Sequence, residues 1–95
     1  MEFTNEIYFN DKLVENKTAK INYNGRLVRE GSNEVTMVYG FGSNWEHTQA
    51  KSMNKSNNGF EVEIKIEQFD TLNFCFRNEN YNWDNNNSFN YISPI

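Results

Sequence analysis

Trp83, Asp84, Asn85 and Asn86 stand in a row, and their types suit them to hold a ligand. No aliphatic residue lies within three positions of Trp83 on either side. Burying so large a ring there as core would bury amides and a carboxylate with it, which costs free energy unless each is paired. A ring left exposed among amides suits a pyranose sugar. The C–H face of the sugar lies on the ring, and its hydroxyls meet side chains that both donate and accept hydrogen bonds. Trp45, in the glycine-rich segment 40–47, which reads as a loop, is a candidate for a second ring, and Tyr39, near the end of the preceding strand, for a third.

Catalytic readings find less support. Glu79 and Asp84 flank Trp83, and a pair of carboxylates is what glycoside hydrolysis requires. A general acid must be desolvated to raise its pKa, and a small flat domain offers little burial for that. Asp84 therefore reads as a loop cap or an acceptor for a sugar hydroxyl. His47 is the only histidine, so there is no metal-ligand spacing, and no phosphate-cradling glycine loop is present. No catalytic residue, metal or cofactor is expected. The lone cysteine, Cys75, lies within an apolar strand and reads as a buried, inert thiol.

The net charge of -4, from 9 basic and 13 acidic residues with the basic ones scattered, argues against a nucleic-acid partner. No segment reaches membrane-spanning length, and no secretory signal opens the chain. Taken as written the protein is expected in the cytoplasm; cut from a larger secreted protein it would be extracellular.

These residues must be positioned by strands. At 95 residues the chain reads as one domain, 1–95, and with only 37% hydrophobic residues against 16% aromatic its core is few but large side chains. Strands are expected at Glu6–Asn10, Lys17–Tyr23, Glu34–Phe41, Phe60–Ile66 and from Leu72, where Leu72, Phe74 and Phe76 alternate with Asn73, Cys75 and Arg77. Shorter ones are expected at Arg26–Val28, Lys51–Lys55 and Phe89–Ile92. Asn24-Gly25 reads as a tight reversal, and Ser56-Asn57-Asn58-Gly59 as a second hairpin turn. No helical period of useful length appears. The fold expected is an all-β antiparallel sandwich.

Leu72 to Arg77, followed by Trp83-Asp84-Asn85-Asn86 and then Asn90-Tyr91, resembles the end of starch-binding carbohydrate-binding modules of the family 25 and family 53 type. Val38-Tyr39-Gly40 and then Trp45 is similar to a second segment of those modules, and Lys17 to Gly25 resembles their opening strand and turn. The resemblance implies an immunoglobulin-like β-sandwich that binds α-1,4-linked glucans without catalysis. It implies Trp83 and Trp45 as stacking rings, Tyr39 at the position of a third aromatic or a histidine, and Asp84, Asn85 and Asn86 beside them as polar partners. It also implies a linked or associated amylolytic or glucan-synthesising enzyme. The other reading is a protein-interaction sandwich that docks a partner on its exposed Trp and Tyr patch.

Overall fold

The structure, a computed structural model, describes residues 6–10, 12–86, 88 and 90–95. Two antiparallel sheets face each other. The first holds β1 (Ile7–Phe9), β2 (Thr18–Tyr23), β6 (Gly59–Lys65) and β5 (Asn54–Ser56) in the order β1-β2-β6-β5. The second runs β4 (Glu46–Ser52), β3 (Val35–Phe41), β7 (Thr71–Asn78), with β8 (Trp83–Asp84) and β9 (Tyr91–Pro94) both paired to the far side of β7. Lettered in chain order, these sheets reproduce the A-B-E-D and C-F-G pattern of the immunoglobulin fold, with β4 added beside the C position. The sandwich expected from the sequence is the fold observed.

The core sits between the sheets and is mainly aromatic. Phe9, Tyr23, Tyr39, Phe41, Phe74 and Phe76 are among its largest fully buried side chains. Tyr23 of the first sheet stacks on Phe76 of the second, centroids 4.1 Å apart. Phe9 meets Phe74 at 5.8 Å, again between sheets. Each buried ring contributes about 1.5–3 kcal/mol from desolvation, so a few of them replace many aliphatic contacts.

β7 is flanked on both sides, and its outward Asn73 and Cys75 are buried as well as its inward Phe residues. Burial pushes the Cys75 thiol up to about 11, as expected for an inert cysteine.

Three expectations change. Arg26–Val28 is not a strand: Arg26–Arg29 form one helical turn, α1, and Gly25 enters it with φ of -102° instead of closing a reversal. The cause is tertiary, because Leu27 is buried and its N–H donates to the Tyr23 hydroxyl at 3.1 Å. The segment 40–47 is not simply a loop, since β3 runs to Phe41 and β4 starts at Glu46. Lys51–Lys55 is the junction between β4 and β5, where buried Met53 carries the chain from the second sheet to the first. β4 is exposed along its whole length, so no apolar period marks it; pairing with β3 alone defines it.

The Ser56–Gly59 turn forms as expected, with Ser56 paired to Gly59. Gly59 has φ of +117°, and a Cβ there would lie 2.2 Å from the Tyr23 carbonyl oxygen, so only glycine fits. Phe89, the expected start of the last strand, lies outside the described residues, and β9 begins at Tyr91.

Candidate functional site

Register decides which of the chemically promising residues face outward. Trp83 pairs with Arg77 and Asp84 with Phe76. Phe76 faces the core, so Asp84 is drawn inward and buried while Trp83 and Arg77 share the outer face of the second sheet. Trp83 is 41% exposed and Tyr81 66% exposed. The Arg77 guanidinium carbon lies 4.8 Å from the Tyr81 ring centroid and 5.9 Å from that of Trp83. A cation held against two rings by their quadrupoles gives this corner a fixed shape.

The supports behind this corner are specific. Asn78 Oδ1 accepts the N–H groups of Asn80 and Asn82, both at 2.9 Å, and Asn78 Nδ2 donates to the Ser32 hydroxyl at 3.0 Å. That side chain folds the β7–β8 loop and holds Tyr81 at φ of 59°, a left-handed conformation costly for a bulky residue. Behind Trp83, the Arg26 guanidinium donates to its carbonyl oxygen and also pairs with Glu30 at 2.8 Å. Asp84 Oδ2 accepts from the Tyr23 hydroxyl at 2.5 Å, and Oδ1 from the Tyr91 hydroxyl at 2.9 Å. Because the Tyr23 hydroxyl also accepts from Leu27 N–H, one chain of bonds ties β8 to β2 and to α1.

The turn that carries Trp45 lies over the same face at the opposite corner. Val35, Met37, Tyr39 and Phe41 point into the core, which leaves Thr36, Val38 and Gly40 outward. A Cβ on Gly40 would meet the Trp45 backbone at 3.0 Å, so the turn carrying Trp45 is folded down onto the outer face, in space only glycine leaves open. Asn73 Nδ2 donates to the Gly42 carbonyl at 2.5 Å and pins that turn. Trp45 itself is partly buried, with φ of 52°. Gly40 pairs with Asn73, four residues along β7 from Arg77. About 13 Å along the strand and about 10 Å across two strand spacings separate Gly40, with the Trp45 turn over it, from Trp83 by roughly 16 Å. Val38, Cys75 and Thr36 lie between them on this face.

The remaining expected site residues divide. Tyr39 is 1% exposed, with its hydroxyl donating to Gln49 Oε1 at 3.3 Å and its ring edge-on to Phe41. It cannot offer a stacking face; strand alternation turns it inward, and Val38 takes the outward position beside it. Asp84 is likewise withdrawn from the surface, both carboxylate oxygens being occupied by tyrosine hydroxyls. Asn85 and Asn86 stay at the edge of the face. The chain leaves β7 after Asp84 and rejoins it at Tyr91, and Asn90 N–H closes this loop onto the Asn85 carbonyl at 2.8 Å. Asn85 Oδ1 accepts Ser88 N–H at 3.0 Å, and Asn86 Nδ2 donates to the Asn90 carbonyl at 3.1 Å.

Glu79 is exposed. Its own backbone N–H, then those of Asn33 and Glu34, hold its carboxyl below the usual glutamate range. That is the reverse of what a general acid needs, and Asp84 is held in the core by its two phenols. Among the described residues no group of three His, Cys, Asp or Glu could hold a metal ion.

Sequence reasoning missed Tyr81, Arg77, Val38 and Asn73. The first two carried a signal: Tyr81 lies two residues before Trp83, and Arg77 was already placed on the outer side of its strand. Asn73 carried none, because its partner is a backbone carbonyl thirty-one positions away.

An immunoglobulin-order sandwich that presents rings, amides and a guanidinium on one outer sheet face is built as a binding module. The chain belongs to family 53 of the starch/carbohydrate-binding modules, whose family model matches residues 19–74. It is also similar to a protein of Clostridium acetobutylicum named alpha-amylase, 40% identical over 86 residues that cover 88% of this chain. The chain spans 11% of that relative's length. No solved structure matches.

Proposed function

We propose that this chain binds α-1,4-linked glucans (starch, glycogen and maltooligosaccharides) without catalysis, on the outer face of the five-stranded sheet. Trp83 and Trp45 are the stacking rings, and Tyr81 extends the Trp83 end. Asn85, Asn86 and Arg77 provide hydroxyl partners. The observation that carries this reading is that Trp83 and the turn bearing Trp45, distant in sequence, lie over one outer face, with amides and a guanidinium beside Trp83. The roughly 16 Å between their positions asks for an oligosaccharide rather than a single sugar. A similar segment within a protein named alpha-amylase supports a linked or associated amylolytic enzyme as the module's partner.

Such an open face binds weakly, with a Kd between about 1 mM and 1 μM. The test is tryptophan fluorescence titrated with maltoheptaose, and with cellohexaose as control, on the wild type and Trp83→Ala. Saturable change with maltoheptaose alone, lost in a folded Trp83→Ala variant, supports the reading. Absence of binding to either sugar refutes it and makes a protein partner on the Trp face the hypothesis to pursue.

A further inference from the structure

The opposite outer face, on the four-stranded sheet, holds a groove of about 680 Å³ that the proposed glucan face does not use. Its floor is Asn22 of β2, and one wall is Tyr8 of β1, its register partner. The other wall is Glu61 of β6 with the β5–β6 turn, from Ser56 to Asn58. Two hydrogen bonds shape it: Asn22 Nδ2 donates to the Asn58 carbonyl at 2.9 Å, and the Ser56 hydroxyl donates to Asn22 Oδ1 at 3.0 Å. They fold the turn over the sheet and make a concavity of a flat face. Tyr8 is 48% exposed at the edge of the groove.

We infer that this groove is a second saccharide site, independent of the Trp83 face. Its volume is within the range of ligand pockets, yet its lining is amides, a hydroxyl and carboxylates rather than hydrocarbon. Among the described residues no lysine or arginine lines it, which disfavours a phosphate or other anion. Glu6, at its rim, is paired with Arg29 at 2.8 Å. The Tyr8 ring, bordered by groups that donate and accept, suits a neutral, polyhydroxylated ligand with one apolar face. Because the two sites lie on opposite outer faces of the sandwich, one short oligosaccharide cannot occupy both, and the stoichiometry is two per chain. A module with both sites joins two glucan strands instead of gripping one twice.

The test is an amide-resolved NMR titration of the folded chain with maltoheptaose and, separately, cellohexaose. Each is taken to millimolar concentration, enough to half-fill a site with a Kd of about 1 mM. Saturable shifts at Tyr8, Asn22 and Asn58 with at least one sugar are expected, unchanged in Trp83→Ala. Tyr8→Ala should weaken that response about tenfold, and Asn58→Ala, at an exposed turn position, should weaken it in the same direction while the Trp83 side keeps its own response. If neither sugar moves the Tyr8 group, or if Trp83→Ala abolishes its shifts, the second site is refuted. A response at Tyr8 with silence at Trp83 would refute the first reading and leave this one standing.

Discussion

Replacing Asp84 by asparagine separates its two readings, a buried clasp or a sugar-hydroxyl acceptor. Asp84 is 7% exposed and accepts from the Tyr23 and Tyr91 hydroxyls at 2.5 and 2.9 Å. An asparagine keeps one carbonyl oxygen for one phenol and can only donate to the other, whose oxygen must then accept, so both bonds are made to a neutral amide and one is reversed, at a cost of about 1–3 kcal/mol. Asp84→Ala loses both and costs about 3–5 kcal/mol, against a total stability of about 5–14 kcal/mol for a domain of this length. The assay is urea unfolding followed by tryptophan fluorescence, with Tyr23→Phe and Tyr91→Phe completing double-mutant cycles. Coupling of at least about 1 kcal/mol is expected in both cycles, with the maltoheptaose Kd of the folded Asp84→Asn protein within about twofold of wild type. Asp84→Asn and Asp84→Ala proteins as stable as wild type would refute the clasp, and a folded variant that has lost sugar binding tenfold would show that the carboxylate acts on the ligand.

Three further outcomes follow from the same contacts. Gly59→Ala should destabilise by more than about 1 kcal/mol, because it combines a positive φ with a 2.2 Å approach to a backbone oxygen; a midpoint in urea equal to wild type would contradict this. Burial, and then the hydrogen bond to Asp84, push the Tyr23 and Tyr91 phenols up, and burial raises Cys75 to about 11. Groups raised by folding contribute stability fully below their unfolded pKa values, here 9.0 for the thiol and 10.0 for the phenols, and lose it as pH climbs beyond them. The urea midpoint should therefore be level between neutrality and about pH 8.5 and fall above it; a flat profile to pH 11 would overturn the burial assigned to these groups. Asn78→Ala removes the acceptor of two loop N–H groups, and should cost about 1–3 kcal/mol and lower maltoheptaose affinity by loosening Tyr81, both read in one fluorescence titration of the unfolding and binding curves.

Much of the architecture is local information. Alternation in Phe60 to Ile66 and Leu72 to Arg77 is a strong period, and both segments are strands with the apolar side inward. The Ser56 to Gly59 turn is chemistry of four adjacent residues. The exposure of Trp83 was legible for the same reason: its neighbours are polar, and no rearrangement elsewhere could make that company apolar. β4 and α1 are the opposite case. β4 has no apolar face and exists by pairing with β3, whereas α1 exists because Leu27 finds a core and Tyr23 offers it an oxygen.

The composition and periodicity of the chain by themselves determined a two-layer β fold with an aromatic core and an exposed tryptophan among amides. Only the tertiary structure decided which sheet face receives each side chain, because a shift of one residue in register exchanges inside for outside. That parity turned Tyr39 and Asp84 into the core, brought Tyr81 and Arg77 beside Trp83, and laid Trp45 over Gly40 on the same face. The groove at Tyr8 is likewise invisible in the sequence, since it exists only once Asn22 holds a turn that arrives more than thirty residues later.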